Sequence, residues 1–330
     1  MTSRRRAIAL IAALVLQRPA AAQALAPARL PRVAYVTLNT LTDPPSPERA
    51  AFLAGLAELG LIPGRNIEMV YASAEGVYDF LDDVVRDVVK KQVDVIVLPG
   101  ALPIESVRRA TSTIPIVMLA VGDPVGMGLV KSLGRPGGNI TGLSYISSDL
   151  AGKRVQFLRE VLPKARRFAV LYDARNINAR LELAAVLQAA AQLGFTADPI
   201  AMQDSGDIVL PADAPKLARA QALYIVFDGT VAAGRRYELA ALAERLRVPM
   251  VSGWSGLTDV GGLFSYAPAL SPMFHRAASF VHKLLRGARP ADLPVEQATI
   301  FQTVINQTAA RRLGIKLPYT MLLRADRVIE

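Results

Sequence analysis

The order of apolar segments along the chain repeats itself, and this repeat constrains the fold more than any other feature of the sequence. Short runs rich in β-branched residues, such as 32–38 and 94–98, alternate with amphipathic stretches such as 47–59. Continuously apolar runs of this length suit strands that are buried on both faces of a parallel sheet. Strand and helix segments in alternation are typical of a doubly wound α/β layer.

The second half of the chain repeats these segments in the same order. The Leu-Gly step that ends at Gly60 recurs at Gly194, and the Ile-Pro step at Pro115 recurs as Val-Pro at Pro249; both pairs are 134 residues apart. At the same spacing, the first strand falls on the strand-like run 166–172. A single Leu-Gly match would mean little, because this pair is common at helix C-caps. Several matches that occur in the same order in both halves of the chain indicate a duplication. We therefore predict an α/β fold with two similar Rossmann-like lobes, each built on a parallel sheet.

The N-terminus has the three parts of a secretory signal peptide. A basic head at Arg4, Arg5 and Arg6 precedes the apolar run 7–16, and a small-residue tract follows it. The apolar run is about half the ~20 residues that a membrane-spanning helix needs. We predict that 1–24 is a cleaved signal peptide and that the mature protein is periplasmic. The pattern leaves Sec and Tat export both open.

Cysteine is absent from the sequence. This absence excludes disulfides and thiolate sites, and it predicts a mature protein without a lipid anchor. The net charge of +10 includes four arginines in residues 1–24, where there is no acidic residue. The remaining basic residues are spread along helical segments without interleaved aromatic residues. We therefore predict a solvated surface and no nucleic-acid partner. We also expect the protein to be a monomer.

The motifs that would support catalysis are incomplete. The segment 253–257 (GWSGL) lacks the last glycine of a nucleophile elbow. His275 and His282 are seven residues apart on one predicted helix, which is too far for an i, i+4 zinc pair. The glycines of 122–128 complete neither a dinucleotide-binding motif nor a P-loop. The sequence predicts a binding protein that is not an enzyme and needs no cofactor or metal; an exported hydrolase using Ser255 is the weaker alternative.

Two α/β lobes side by side create a cleft, and such sheets bind ligands beyond the carboxyl ends of their strands. The candidate loops are therefore 39–43, 100–102, 122–123, 172–176, 228–230 and 252–255. The carboxylates of Asp123, Asp173 and Asp228 could pair with an α-amine, although each could instead cap a helix. The Thr141 hydroxyl could hold a carboxylate, and the rings available for stacking are Tyr145, Trp254 and Tyr266.

Six stretches match a known family: GRNIE at 64–68, TIPIV at 113–117, GDPVG at 122–126, RPGGNITG at 135–142, ADLPVEQ at 291–297 and LRADRVIE at 323–330. They span essentially the whole mature chain. On these stretches the chain resembles the ABC transporter substrate-binding proteins of the tryptophan/tyrosine type. Those proteins have the type I periplasmic binding protein fold.

The resemblance implies capture of a small molecule, such as an amino acid or an aromatic amino-acid-like solute, and its delivery to an ABC permease and its ATPase. It also implies a three-segment hinge, with lobe 1 formed by 28–143 and 267–295 and lobe 2 by 144–266 and 296–330. A ligand-sensing receptor for a signalling partner is the alternative.

Together with the strand-end loops, the resemblance predicts these ligand contacts: Asn39, Thr40, Gly100, Ala101, Asp123, Thr141, Gly142, Tyr145, Asp173, Asp228, Trp254 and Tyr266. Two cleft segments depart from the family pattern. Ala267 stands where the family usually has Gly, and 173–174 replaces a more usual Asn-Pro pair. The resemblance alone therefore does not identify the ligand.

Overall fold

The computed structural model describes residues 29–203, 206–227, 229 and 231–330. The predicted signal peptide lies outside these residues. The strands are β1 (Arg32–Thr37), β2 (Glu68–Ser73), β3 (Val95–Pro99), β4 (Ile116–Val121), β5 (Ile140–Ser144), β6 (Arg167–Tyr172), β7 (Thr196–Ala201), β8 (Leu223–Ile225), β9 (Met250–Ser252), β10 (Phe264–Pro268), β11 (Glu296–Gln297), β12 (Phe301–Asn306) and β13 (Arg327–Ile329).

The helices are α1 (Pro47–Glu58), α2 (Leu81–Lys90), α3 (Leu102–Ala110), α4 (Ser147–Val161), α5 (Ile177–Gln192), α6 (Ala214–Ala218), α7 (Val231–Gly234), α8 (Arg236–Leu246), α9 (Ser255–Asp259), α10 (Leu270–Leu285), α11 (Gln307–Arg312) and α12 (Tyr319–Leu322). Within the described part of the chain, no helix combines the length and apolar character needed to cross a membrane.

The first sheet has the strand order β11-β5-β4-β3-β1-β2, and all its neighbours are parallel. Alternate residues of its central strands pack on opposite sides. On one face, Val95 and Val97 pack against α1 and α10; on the other, Ile96 and Leu98 pack against α2 and α3. Burial on both faces explains why these strands read as unbroken apolar runs. We call this sheet and its helices lobe 1.

The second sheet has the order β13-β12-β10-β9-β8-β6-β7. Its β7-β6-β8-β9-β10 part repeats the β2-β1-β3-β4-β5 order of the first sheet, and only the β10–β12 pair is antiparallel among the described pairs. α4 and α5 cover one face, and α8 covers the other. This sheet and its helices are lobe 2. The predicted fold class, two α/β lobes with mainly parallel sheets, is confirmed.

The chain passes between the two sheets three times: between β5 and α4, between β10 and α10, and between β11 and β12. The first crossing contains Ile146, whose φ of 46° is unusual for a β-branched residue. β11 pairs with Leu143 and Ser144 of β5. This pairing places Ser144, Glu296 and Gln297 in the first sheet, whereas we predicted them in lobe 2.

α1 packs tightly against α10 at Gly55. A Cβ added to Gly55 would lie 2.5 Å from the carbonyl oxygen of His275 and 3.0 Å from the Cβ of Ala278. Gly55→Ala must therefore push the two helices apart. We expect it to lower the free energy of unfolding by about 1–3 kcal/mol, measured by urea denaturation.

Gly152 provides the matched control, because it also lies in a helix. A Cβ there would meet no atom within 4 Å, so Gly152→Ala should instead raise the free energy of unfolding by about 0.5–1 kcal/mol. If both substitutions stabilised the protein equally, close packing at Gly55 would be the wrong explanation.

Candidate ligand-binding site

A cavity of about 450 Å³ lies between the lobes. It opens at the carboxyl ends of β1, β3 and β4 in lobe 1 and beyond β8 and β9 in lobe 2, and α1 and α10 contribute to its walls. This is the position at which open α/β sheets bind ligands, and the volume is that of a small-molecule site. We call it the interlobe cavity.

Lobe 2 contributes an aromatic wall to the cavity, formed by Phe227 and Trp254. Their rings stack with centroids 5.4 Å apart and planes at 28°. Tyr145 supports this wall from behind: it is buried, and its ring centroid lies 5.5 Å from that of Phe227. The Tyr145 hydroxyl donates a 2.7 Å hydrogen bond to the Gly253 carbonyl. The wall is therefore held from the crossing segment as well as from its own lobe.

Lobe 1 contributes a polar wall centred on the first turn of α1. Ser46 caps this helix by accepting a 3.3 Å hydrogen bond from the Arg49 backbone N–H. Two residues of this first turn, Glu48 and Arg49, line the cavity, as do Thr37 and Thr40. An acidic and a basic residue of lobe 1 thus line the same cavity as the two aromatic residues of lobe 2.

Only some of the hydrogen-bond donors of the Arg49 guanidinium have an acceptor. It donates to the Thr42 carbonyl and lies over the Tyr71 ring, 5.6 Å from the centroid. Its Nε is buried and has no hydrogen-bond partner among the described residues. A buried donor without an acceptor costs about 1–3 kcal/mol. A ligand oxygen at this place would satisfy it.

Tyr35 places a neutral phenol in the cavity wall. Burial raises the pKa of Tyr35 well above its usual value; nearby Arg49 lowers this pKa and nearby Glu48 raises it. The ring contacts Phe52 and Tyr71, with centroids 5.9 and 6.3 Å away. The hydroxyl therefore keeps its proton at neutral pH and can both donate and accept hydrogen bonds.

The backbone of the cavity wall is irregular at Ala120, which has a φ of 55°. The pairing of β4 with β5 shifts register between Met118 and Val121, on either side of this residue. Non-glycine residues in the left-handed region are uncommon and cluster at functional sites. Nothing in the local sequence distinguishes Ala120, whose conformation coincides with the irregular pairing of β4 and β5.

Four of the predicted ligand contacts line the interlobe cavity: Asn39, Thr40, Gly100 and Trp254. The Asn39 amide nitrogen also donates across the cleft to the Gly229 carbonyl. Ala101 lines a different cavity of about 310 Å³, next to Tyr78 and Arg175.

Other predicted contacts have partners within the protein. Asp123 accepts a 2.8 Å hydrogen bond from the Gly126 N–H, Thr141 donates a 2.7 Å bond to the Leu293 carbonyl, and the buried Asp173 pairs with Arg175 at 3.1 Å. Gly142 lies against the Met118 backbone, Tyr145 stands behind the aromatic wall, and Tyr266 packs on Phe157 and Phe301. Asp228 lies outside the described residues.

The sequence interpretation missed several residues that line the cavity, among them Glu48, Arg49, Phe227, Arg236, Leu270 and Phe274. Glu48 and Arg49 lie within six residues of the loop 39–43, and Phe227 precedes Asp228, so proximity to strand-end loops is the signal that could have found them. Leu270 and Phe274 look like ordinary apolar positions of α10, and no local signal separates them from the core.

The groups considered for catalysis lie apart. His275 Nε2 on α10 is 3.0 Å from Glu58 Oε2 on α1, within lobe 1, whereas Ser255 begins α9 in lobe 2. Among the described residues, no group of three or more His, Asp or Glu side chains is placed to hold a metal ion.

Several known proteins are similar to this chain. A curated tyrosine-binding protein of Clostridioides difficile (strain R20291) is 24% identical over 284 residues, which cover 85% of this chain and 81% of that protein. The crystal structure of a conserved domain protein from Vibrio cholerae O1 biovar El Tor matches with a TM-score of 0.83 and 28% identity, over 91% of this chain and all of that chain.

Two further structures share the fold at lower identity. An ABC domain from Streptococcus pneumoniae in complex with L-Trp matches with a TM-score of 0.80 and 23% identity, over 91% of this chain and 100% of that one. The ligand-free, open form of a C. difficile substrate-binding protein matches with a TM-score of 0.65 and 22% identity, over 91% and 99%. The model of the ABC transporter substrate-binding protein family matches residues 44–329. The chain therefore belongs to the ABC transporter substrate-binding protein family.

Proposed function

We propose that this protein works outside the cytoplasm, where it captures an amino acid with an aromatic side chain in the interlobe cavity and delivers it to an ABC permease. The main support for the proposal is the distribution of charged and aromatic residues between the two walls of the cavity. Its lobe 1 wall holds Glu48 and Arg49, and its lobe 2 wall holds the stacked rings of Phe227 and Trp254. A zwitterionic head joined to a ring matches both walls.

The head group would be held by charge-assisted hydrogen bonds. In this arrangement the ligand carboxylate accepts from the unsatisfied Nε of Arg49, and the ammonium group donates to Glu48. The ligand ring then lies against Trp254. The tyrosine-binding and L-Trp-bound relatives support this choice of ligand class.

Hinge closure would couple binding to transport. A ligand that contacts both walls favours the closed arrangement of the lobes, because the open arrangement offers it only one wall. The cleft is also bridged directly, by the Asp123 N–H donating to Asn178 Oδ1 at 3.1 Å and by Arg175 over the Tyr78 ring at 5.1 Å.

The signal-peptide pattern of residues 1–24 and the absence of cysteine support export of an unanchored protein to the periplasm.

Calorimetric titration of the processed protein tests the function. L-Tyrosine and L-tryptophan should bind, while tyramine, which is L-tyrosine without the carboxylate, and 3-(4-hydroxyphenyl)propionate, which is L-tyrosine without the ammonium group, should bind more weakly. No heat with either amino acid would overturn the proposed ligand class. Equal binding of all four compounds would contradict the role given to Glu48 and Arg49.

Arg49→Met should lower the affinity for L-tyrosine by about 10- to 100-fold, because a hydrogen bond to a charged group contributes about 1.5–3 kcal/mol. Arg86→Met is the matched control, since Arg86 is an exposed arginine of lobe 1 that pairs only with Asp83 in the described structure. Its effect on affinity should be within the error of the titration. An unchanged affinity in Arg49→Met would mean that another group holds the carboxylate.

A further inference from the structure

A buried ion pair lies in lobe 2, close to the aromatic wall. Arg154 of α4 and Glu182 of α5 are both fully buried, and Arg154 Nη1 is 2.7 Å from Glu182 Oε1. The Tyr224 hydroxyl completes the group, 3.1 Å from Glu182 Oε1 and 3.2 Å from Arg154 Nη1. Replacing such a pair with apolar residues is often neutral or stabilising. Stability alone is therefore a weak explanation for its presence.

The Arg154 guanidinium also binds backbone at two of the crossings. Nε donates a 2.8 Å hydrogen bond to the Tyr266 carbonyl in β10, just before the second crossing. Nη1 donates a 3.1 Å bond to the Ser147 carbonyl, directly after the first crossing. One side chain thus connects both crossing segments to the interior of lobe 2.

The same guanidinium lies directly against Gly253, the residue before Trp254. A Cβ added to Gly253 would be 2.6 Å from Arg154 Cζ, 2.7 Å from Nη2 and 3.0 Å from Nη1. The backbone at this turn therefore rests on the planar guanidinium, and only glycine allows so close an approach. The Gly253 carbonyl accepts the hydrogen bond from Tyr145.

We propose that Arg154 is a positioning residue for the ligand site: its guanidinium sets the position of the 253–254 turn and thereby of the Trp254 ring. The importance of the ring for ligand binding rests on the proposed function. The positioning itself does not, because it can be measured without any ligand.

Trp254 is the only tryptophan of the chain, so its fluorescence reports the wall selectively when excitation is confined to the red edge of the absorption band. The test variant is Arg154→Met combined with Glu182→Leu, which removes the support without leaving a buried charge unpaired. We expect a folded protein whose Trp254 emission is shifted to the red. The acrylamide quenching constant should rise by about two-fold as the turn loosens.

Tyr224→Phe is the matched control, because it removes a hydroxyl from the same buried group and leaves the guanidinium under Gly253. Its emission and quenching should equal those of the wild type. A folded double variant with wild-type emission and quenching would overturn the proposal and leave Arg154 a purely structural residue.

Gly253→Ala tests the same contact by changing the turn instead of the guanidinium. It provides the test of the proposal if the double variant does not fold. The added methyl group collides with the guanidinium, so Trp254 emission must shift; unchanged emission would overturn the proposal. A wild-type protein that fails to bind L-tyrosine or L-tryptophan would instead overturn the proposed ligand and leave this fluorescence comparison intact.

Discussion

Gly142→Ala is expected to lower the free energy of unfolding by about 3 kcal/mol or more, a large part of the roughly 5–15 kcal/mol that stabilises a typical protein. Gly142 has a φ of 133°, which side-chain-bearing residues rarely adopt. A Cβ there would also lie 2.7 Å from the Met118 nitrogen and 3.0 Å from its carbonyl carbon, and closer still to its carbonyl oxygen. Because these atoms belong to the backbone of β4, they cannot move aside as a side chain could. Urea denaturation measures the loss.

Gly138→Ala is the control for this experiment, since it lies four residues earlier in the same RPGGNITG segment. A Cβ at Gly138 would meet no atom within 4 Å, and the residue is exposed. Its effect on unfolding should stay within about 0.5 kcal/mol. A Gly142→Ala protein as stable as Gly138→Ala would contradict the close approach of β5 to β4. The same geometry gives Gly142 a structural reason to be glycine that is independent of any ligand.

Glu182→Leu alone is expected to lower the free energy of unfolding by about 3–5 kcal/mol. It leaves the Arg154 guanidinium charged in the interior of lobe 2, because arginine does not lose its proton in proteins. Burial lowers the pKa of Arg154, but nearby Tyr224 and Glu182 more than offset this and hold it above its usual value. The Arg154→Met, Glu182→Leu double variant should recover most of the loss, and denaturant unfolding of the single and double variants measures both effects.

Glu238→Leu is the control, because Glu238 also pairs with an arginine, Arg235, but the Glu238 side chain is 55% exposed. Arg235 is 14% exposed and keeps its hydrogen bonds to the Gln203 and Gly206 carbonyls, so loss of this pair should cost no more than about 1 kcal/mol. If Glu182→Leu were as mild as Glu238→Leu, the charge on Arg154 would have to be solvated in the folded protein, contrary to its burial.

The division of the cavity between the lobes has a consequence for binding. Under the proposed function, Glu48 and Arg49 of lobe 1 recognise the charged head, and Phe227 and Trp254 of lobe 2 contact the ring of the ligand. A ligand with only one of these parts contacts only one lobe favourably. Under the proposed function, such a ligand should promote closure less than a complete aromatic amino acid, since only differential contacts shift the equilibrium between open and closed forms.

The fold could be predicted because its signals are local and repeated. The predicted strand 32–38 and helix 47–59 correspond to β1 (Arg32–Thr37) and α1 (Pro47–Glu58). The repeat at 134 residues predicted a second lobe like the first, and the shared strand order of the two sheets agrees with it. A strand that is buried on both faces has apolar residues at nearly every position. Its apolar run can therefore be recognised in the sequence without knowing which strands and helices pack beside it.

The site could be predicted only where it follows from strand ends. That rule placed Asn39, Gly100 and Trp254 at the cleft, and all three line the cavity. It did not identify Arg49, whose position in the first turn of α1 is equally suited to a solvated helix surface. Which side of α1 faces the cavity depends on how α10 and lobe 2 pack around it.

By itself, the sequence determined two α/β lobes, a cleft at the carboxyl ends of their strands and the family to which the chain belongs. The tertiary structure alone decided the roles of individual polar residues. Thr141 bonds to the Leu293 carbonyl, 152 positions away in the chain, and Arg154 bonds to Tyr266, 112 positions away. Such partners are set by the packing of distant segments, and a buried polar group takes whichever acceptor that packing brings within reach.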